Sequence, residues 1–201
     1  EQGIAAYPST AARSHDIAVI LQNFSKLEKE KTQVTAAGRL RTVRGHGGLI
    51  FAHLEDASGR MQVVFKKDEL GEARHKLFTS LIDPADFVSV TGPLFITQKG
   101  EQSILAKDFT LISKTLLPLP EKWHGLQDIE KRYRQRYLDL LSNPEVREIF
   151  RKRSVVIKTL RRLLDEQGFI EVETPMLQAI PGGATARPFV THHHALDQDM
   201  Y

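Results

Sequence analysis

The sequence predicts an α+β protein in which a small β-barrel follows a short helical segment and precedes a second part that begins with helices. Short apolar runs with strand periodicity fill residues 33–114. An apolar stripe with helical spacing precedes them, and a second one follows a Pro-containing stretch. We therefore expect an N-terminal helical segment at 1–32, a β domain at 33–114, a linker at 115–127 and the beginning of another domain at 128–201.

Composition indicates a globular protein and excludes several kinds of site. Of the 201 residues, 41% are apolar and 26% are charged, which is ordinary for a folded domain. Cysteine is absent from the sequence, which excludes disulfides, thiolate metal sites and cysteine nucleophiles and fits a reducing compartment. The sequence shows neither a long apolar run nor a signal-peptide pattern, so we expect a cytoplasmic protein without a membrane partner.

The first helix is predicted over 13–30, with Ser14 as its N-cap. Five strands follow, and Gly and Pro residues separate them. The expected strands are 33–44, 48–55, 60–67, 87–97 and 102–113, with a helix at 71–82 between the third and fourth. This order is that of a five-stranded OB-fold barrel, whereas an all-β sandwich would normally have more strands and no inserted helix.

The hairpin made by the second and third strands carries an aromatic ring on its polar face. Side chains alternate between the two faces of a strand, so Phe51 and Gln62 share one face. The opposite face is apolar and contains Ile50, Ala52, Leu54, Met61, Val63 and Phe65. These strands of an OB-fold commonly bind single-stranded nucleic acid, where rings stack on bases and amides bond to base edges. Alternatively, Phe51 packs under a loop or on the N-terminal helix.

The segment after the linker is predicted to be helical and basic. A short helix over 128–141 is followed by a long one that begins at Asn143-Pro144, with Ser142 or Asn143 as its cap, and ends at Gly168. Residues 169–175 are predicted to form a strand. Residues 128–162 contain eleven Lys or Arg and five Asp or Glu, a net charge of +6 against +3 for the chain. Such a segment suits a polyanionic partner, although a solvated helix face with ion pairs has the same composition.

Three stretches resemble the lysyl-tRNA synthetases, class II aminoacyl-tRNA synthetases of the subgroup that includes the aspartyl and asparaginyl enzymes. They are "LPLPEKWHGLQDIEKRYRQRYLDLLSNPEVR", "GFIEVETPML" and "IPGGATARPFVTHHHALDQDMY". The resemblance implies an OB-fold anticodon-binding domain followed by motif 1, the start of an antiparallel-sheet catalytic domain. It also implies tRNA(Lys), lysine and a second subunit of a homodimer as partners, with ATP and Mg²⁺ used by the complete enzyme.

The resemblance assigns anticodon contacts to three residues. In the family, a Phe stacks on the central U, a Gln eleven residues later bonds to that base, and an Arg seven residues earlier supports it. These positions are Phe51, Gln62 and Arg44. Strict alternation from Leu40 would turn Arg44 toward the core, so we expect a bulge or the strand end to redirect it, with Gly38 or the loop at 45–48 allowing the irregularity.

The resemblance also concerns the second domain. It places Pro175 at the homodimer interface and Gly182 and Gly183 in a loop beside the lysine pocket, with the second glycine against the bound lysine. Motifs 2 and 3, which bind ATP in the family, do not occur in the sequence given. We therefore expect no catalytic residue in these 201 residues and no activity from them alone.

The sequence raises three other interpretations. The histidines at 192–194 suggest a metal site, but adjacent side chains point apart and no ligand partner stands at a suitable spacing, so none is expected; His194 stands where the family usually has Asn. The alternative function is a non-catalytic OB module that binds tRNA or other single-stranded nucleic acid. A class II paralogue that lysylates a protein is disfavoured, because such paralogues lack the OB domain.

Overall fold

The computed structural model describes residues 7–120, 125–182, 185 and 187–201. The chain divides into two compact units, 1–121 and 122–201. Among the described residues, no helix combines the length and the apolar character needed to cross a membrane.

The first unit is a closed barrel. Its strands are β1 (Gln33–His46), β2 (Leu49–Glu55), β3 (Arg60–Lys66), β4 (Phe87–Ile96), β5 (Gln102–Ala106) and β6 (Asp108–Ser113). The ring runs β1-β2-β3-β5-β4 and closes by pairing of β1 with β4, while β6 extends the pairing along β4. Only β3 and β5 are parallel within this sheet. The strand predicted over 102–113 is therefore two strands, which break at Lys107, where the backbone N–H donates to the carbonyl of Thr91.

The barrel is filled by the apolar face that alternation predicted. The six residues assigned to that face are all at most 3% exposed: Ile50, Ala52, Leu54, Met61, Val63 and Phe65. Two helices, α3 (Lys67–Leu70) and α4 (Glu72–Leu81), lie between β3 and β4, where one helix was predicted. Phe78 of α4 packs on Phe65 with ring centroids 4.0 Å apart, and Phe109 of β6 meets both rings edge-on. The inserted helical segment therefore belongs to the core.

The helical segment before the barrel is also part of this core. It forms two short helices, α1 (Ile17–Gln22) and α2 (Phe24–Lys29), instead of one. Ile17, Ile20 and Phe24 are at most 2% exposed. The predicted cap at Ser14 is wrong: the N-cap of α1 is Asp16, and Ser14 Oγ instead accepts the backbone N–H of Thr35. The first N–H of α1, that of Ile17, donates to Asp56 Oδ2 in the β2–β3 turn at 2.9 Å.

A β-bulge in β1 sets which side chains face outward. The pairing of β1 with β2 shifts between Leu40, which is opposite Leu54, and Thr42, which is opposite His53. The extra residue is Arg41, and it reverses the alternation beyond it. The predicted irregularity is thus confirmed, at Arg41 and not at Gly38 or the 45–48 loop. Gly38 has another role: an added Cβ would lie 2.5 Å from the carbonyl oxygen of Glu55, so only glycine fits there.

The second unit begins with three helices, α5 (Ile129–Arg134), α6 (Arg136–Ser142) and α7 (Pro144–Glu166). The predicted ends of the long helix are confirmed: Asn143 is the N-cap, Pro144 is the first helical residue, and Gly168 follows the helix with φ of +83°. The N–H of Phe169 donates to Leu164 O at 3.0 Å, and that of Gly168 to Asp165 O at 2.9 Å. These two bonds form a Schellman motif, which requires the left-handed conformation that glycine adopts without strain.

The strand predicted over 169–175 is wrong. These residues form neither helix nor strand, and Phe169, Ile170 and Val172 are 62%, 85% and 71% exposed. A strand needs a neighbour for its backbone groups, and no described segment of the chain pairs with this one. The strands of this unit are instead β7 (Thr191–His193) and β8 (Gln198–Met200), which form a two-stranded hairpin.

Candidate nucleic-acid interface

Two of the three residues predicted to contact the anticodon, Phe51 and Arg44, lie side by side on the outer surface of the barrel. Phe51 of β2 is directly opposite Arg44 of β1 on one side and Val64 of β3 on the other. The Phe51 ring is partly exposed, and Arg44 is exposed. The side chain of Arg44 makes no hydrogen bond or ion pair with any residue that the structure describes, whereas nearby Arg41 pairs with Glu55 at 3.5 Å. The edge of this surface therefore combines an accessible aromatic face with an uncompensated positive charge.

The third predicted residue, Gln62, lies in the adjacent cross-strand row. Its Cα partners are His53 of β2 and Ser103 of β5. The row continues to Thr42 of β1 at one end and to Phe95 of β4 at the other. Gln62 is therefore a diagonal neighbour of Phe51, and such neighbours lie about 7–8 Å apart on one face of a sheet. The structure thus brings Arg44, Phe51 and Gln62 to one surface.

The Gln62 side chain is held by the protein at both ends. It is only 7% exposed. Its Nε2 donates to Glu101 Oε2 at 2.6 Å, and its Oε1 accepts from Ser103 Oγ at 2.8 Å. An amide has two N–H donors and two acceptor lone pairs, so these bonds leave one of each for a ligand. Gln62 is therefore a preorganised group at the base of the surface and not a freely rotating side chain.

Glu101 is a part of this surface that the sequence pattern does not indicate. It lies in the turn between β4 and β5, where its N–H bonds to Thr97 Oγ1 at 3.0 Å. Its other carboxylate oxygen, Oε1, is 3.0 Å from His53 Nε2, and His53 Nδ1 is 2.8 Å from Thr42 Oγ1. Glu101 follows Gln62 by 39 residues, so strand alternation gives no signal for their contact. His53 was recognisable as a neighbour of Phe51 on the polar face, but not as a partner of Glu101.

A shallow, open depression borders these side chains. Its lining comes from α1, β2, β3, the β4–β5 turn and the start of β5, and consists of Leu21, His53, Arg60, Met61, Gln62, Gly100, Glu101 and Gln102. Leu21 contributes an apolar side chain to this lining, and His53, Gln62 and Glu101 contribute hydrogen-bonding groups. A flat, partly apolar ligand with hydrogen-bonding edges, such as a nucleic-acid base, matches this lining.

The basic segment of the second unit is less available than its composition suggested. Asp139 is fully buried and bonds to Arg132 Nε at 2.9 Å, to Arg136, and to Asn143 Nδ2 at 2.6 Å. Burial raises the pKa of Asp139, but the hydrogen bonds and the arginine charge outweigh it and lower that pKa below its ordinary value. Arg134, by contrast, is 80% exposed and pairs only with Glu130 among described residues, at 2.9 Å. Arg132 and Arg136 are thus structural partners of a carboxylate.

The other predicted site residues fall in exposed parts of the second unit. Pro175 is exposed at the end of the unpaired stretch 169–175. Gly182 is exposed, and a Cβ added there would meet only Gln178 Oε1 at 3.5 Å and Ile180 O at 4.0 Å. This conformation of the described chain therefore does not demand glycine at 182. Gly183, the residue predicted to contact lysine, lies outside the described residues.

The three histidines lie on the β7–β8 hairpin. His192 Nδ1 is 3.0 Å from Asp199 Oδ1, and the His192 and His194 rings meet edge-on with centroids 5.1 Å apart. Among the residues that the structure describes, no group of three His, Cys, Asp or Glu is arranged to hold a metal ion.

Comparison with known proteins matches both units. Residues 34–112 match the family model for the OB-fold nucleic acid binding domain, and residues 128–201 match that for class II tRNA synthetases (D, K and N). The chain is 50% identical over all 201 residues to a lysine–tRNA ligase of Carboxydothermus hydrogenoformans, covering 41% of it, and 51% identical to that of Syntrophomonas wolfei, covering 40%.

A further lysine–tRNA ligase, from Halalkalibacterium halodurans, is 53% identical over 176 residues, which are 88% of this chain and 35% of that protein. The chain therefore spans about two fifths of the length of the curated relatives it matches. Together with the barrel topology, these matches show that the chain is homologous over its whole length to the N-terminal portion of lysine–tRNA ligases, with an OB-fold domain followed by the start of a class II tRNA synthetase domain.

Proposed function

We propose that the barrel recognises the anticodon of tRNA(Lys) through the outer face of β2 and β3. The observation that carries this proposal is the placement of Phe51, Arg44 and the preorganised Gln62 on one surface in a chain that matches lysine–tRNA ligases. A partly exposed ring stacks on a base, an amide bonds to its edge, and a free cation meets the backbone or base. This arrangement suits a short single-stranded loop.

The complete protein would attach lysine to tRNA(Lys) with the use of ATP, as its kinship with lysine–tRNA ligases suggests. Lysine, ATP and Mg²⁺ are proposed ligands of that complete protein. The described residues contain no arrangement for a metal ion, so we assign no step to Mg²⁺.

Further parts of the proposal concern the second domain, which we place at 128–201 after a linker at 115–127. Its helix α7 and Pro175 would contribute to a homodimer, and the loop with Gly182 and Gly183 would border the lysine pocket. The exposed apolar face of α7 supports the homodimer assignment, because a second subunit would bury it. A cytoplasmic location follows from the proposed role in tRNA charging.

The proposal is tested by titrating an anticodon stem-loop of tRNA(Lys) into the chain. Phe51→Ala should weaken binding by about 1–3 kcal/mol, the usual contribution of one base–aromatic stack. Gln62→Ala should cost less and relax discrimination at the central U. Phe87→Ala is the matched control, because that ring belongs to β4 and its centroid lies 4.3 Å from Cζ of Arg39. If Phe51→Ala and Gln62→Ala both bind the stem-loop with full affinity and keep the preference for U over C, this surface does not recognise the anticodon.

A further inference from the structure

The orientation of the Gln62 amide is imposed from one side by a carboxylate. Oxygens of Glu101 only accept hydrogen bonds when ionised, so the NH₂ end of Gln62 must face Glu101 and the carbonyl end must face Ser103. The contacts at 2.6 Å and 2.8 Å match this arrangement. A half-turn of the amide would place two acceptor oxygens against each other, which is strongly unfavourable in a buried position.

Glu101 is itself held by His53. The carboxylate is 46% exposed and lies in a turn, while His53 is 29% exposed and lies on β2 within the sheet. His53 Nε2 is 3.0 Å from Glu101 Oε1, and His53 Nδ1 is 2.8 Å from the hydroxyl of Thr42. Because the carboxylate accepts, Nε2 carries the proton, and the hydroxyl of Thr42 completes the contact at Nδ1. The four side chains thus form one chain of hydrogen bonds ending at Gln62.

This orientation matters for which pyrimidine can bind. On its Watson–Crick edge, uracil presents a donor at N3 and an acceptor at O4, whereas cytosine presents an acceptor at N3 and a donor at N4. A glutamine amide with one free N–H and one free lone pair can pair with either base, but only by turning over between them. An amide that cannot turn over therefore accepts one pyrimidine and leaves unpaired groups against the other.

We propose that His53 is a positioning residue for pyrimidine specificity: acting through Glu101, it fixes the Gln62 amide in the orientation that accepts uracil and rejects cytosine. The inference rests on the proposed anticodon recognition and names the device that would make this recognition specific. His53 needs no contact with the base in this role. Removing it frees Glu101 to swing into solvent, and the Gln62 amide then turns over to suit either base.

The test compares the affinities of stem-loops that have U or C at the central anticodon position, for the 201-residue chain and its variants. His53→Leu should reduce the preference for U by roughly 5- to 150-fold, the usual discrimination of one bidentate base contact. His53→Gln, which keeps an N–H donor at a similar reach, should retain most of the preference. His15→Leu, which removes an imidazole elsewhere in the first unit, should leave the preference unchanged.

Glu101→Gln provides a second route, because an amide at 101 can present either a donor or an acceptor to Gln62 and should also lower the preference for U. A folded His53→Leu or Glu101→Gln variant with the wild-type preference would overturn the inference and leave the proposed function intact. An equal loss in His53→Leu and His53→Gln would overturn it too. If the wild-type chain does not distinguish the two loops, the proposed function fails and this inference fails with it.

Discussion

The barrel and the long helix α7 have equally regular apolar patterns, but within the described residues only the barrel buries its apolar face. In the barrel, Val34, Leu40 and Val63 are fully buried by strands and helices of the same unit. Along α7, Ile149, Val155 and Leu160 are 63%, 62% and 56% exposed. Periodicity in a sequence therefore says which face of an element is apolar, whereas the rest of the chain decides whether that face is covered.

The contrast separates two kinds of stability. A closed ring with a filled core and its own helices can fold as a unit. A helix with an uncovered apolar face gains little from folding alone and tends to associate. We expect the first unit to carry most of the folding free energy of these 201 residues.

The largest expected effect is in the barrel core. Phe24→Ala removes a ring that is 2% exposed, and it should lower the free energy of unfolding by about 3–5 kcal/mol. Phe169→Ala is the matched change in the second unit, where the ring is 62% exposed. It should change the free energy of unfolding by no more than about 0.5 kcal/mol. Urea unfolding followed by circular dichroism measures both. Equal effects of the two substitutions would contradict the contrast between the units.

A medium effect is expected at the buried carboxylate of the second unit. Asp139→Asn leaves Arg132 and Arg136 without an ionised acceptor and should cost about 1–3 kcal/mol at neutral pH. Because the pKa of Asp139 is lowered from its ordinary value of 3.8, the wild type holds this stability above that value and loses it as the pH falls below it.

The difference between wild type and Asp139→Asn should therefore shrink in acid, as thermal melts across pH would show. Asp165→Asn, at an exposed position of α7, is the control and should behave like wild type. A difference that persists unchanged below pH ~3 would mean that the charge of Asp139 does not stabilise the unit.

The smallest expected change in stability concerns Arg134. Its ion pair with Glu130 is exposed, so Arg134→Glu should alter the free energy of unfolding by less than about 0.5 kcal/mol. If the basic segment meets tRNA phosphates, the same change should weaken binding to all tRNAs and lower the salt slope by about one.

Arg132→Glu should instead destabilise the unit, since it would place a carboxylate beside Asp139. A triple charge reversal at Arg132, Arg134 and Arg136 would combine loss of stability with loss of phosphate contacts. The charges are therefore reversed one at a time. If a stable Arg134→Glu variant binds tRNA with an unchanged salt slope, Arg134 does not contact a phosphate.

Much of the candidate surface was predictable because it depends on local rules. Alternation placed Phe51 and Gln62 on one face, and the conflict at Arg44 predicted a bulge that the structure contains at Arg41. Glu101 was not predictable, since a turn far along the chain brings it to Gln62. The strand expected over 169–175 failed for a related reason: pairing depends on a neighbouring strand, which a local pattern cannot supply.

The central claim, that the outer face of β2 and β3 reads the anticodon, is tested most directly by mapping the bound surface. Amide spectra of the ¹⁵N-labelled chain would be recorded during titration with a tRNA(Lys) anticodon stem-loop. We expect the largest shifts at Arg44, Phe51, His53 and Glu101 and at the side-chain amide of Gln62. Shifts confined to 128–166, with this face of the barrel unchanged, would contradict it.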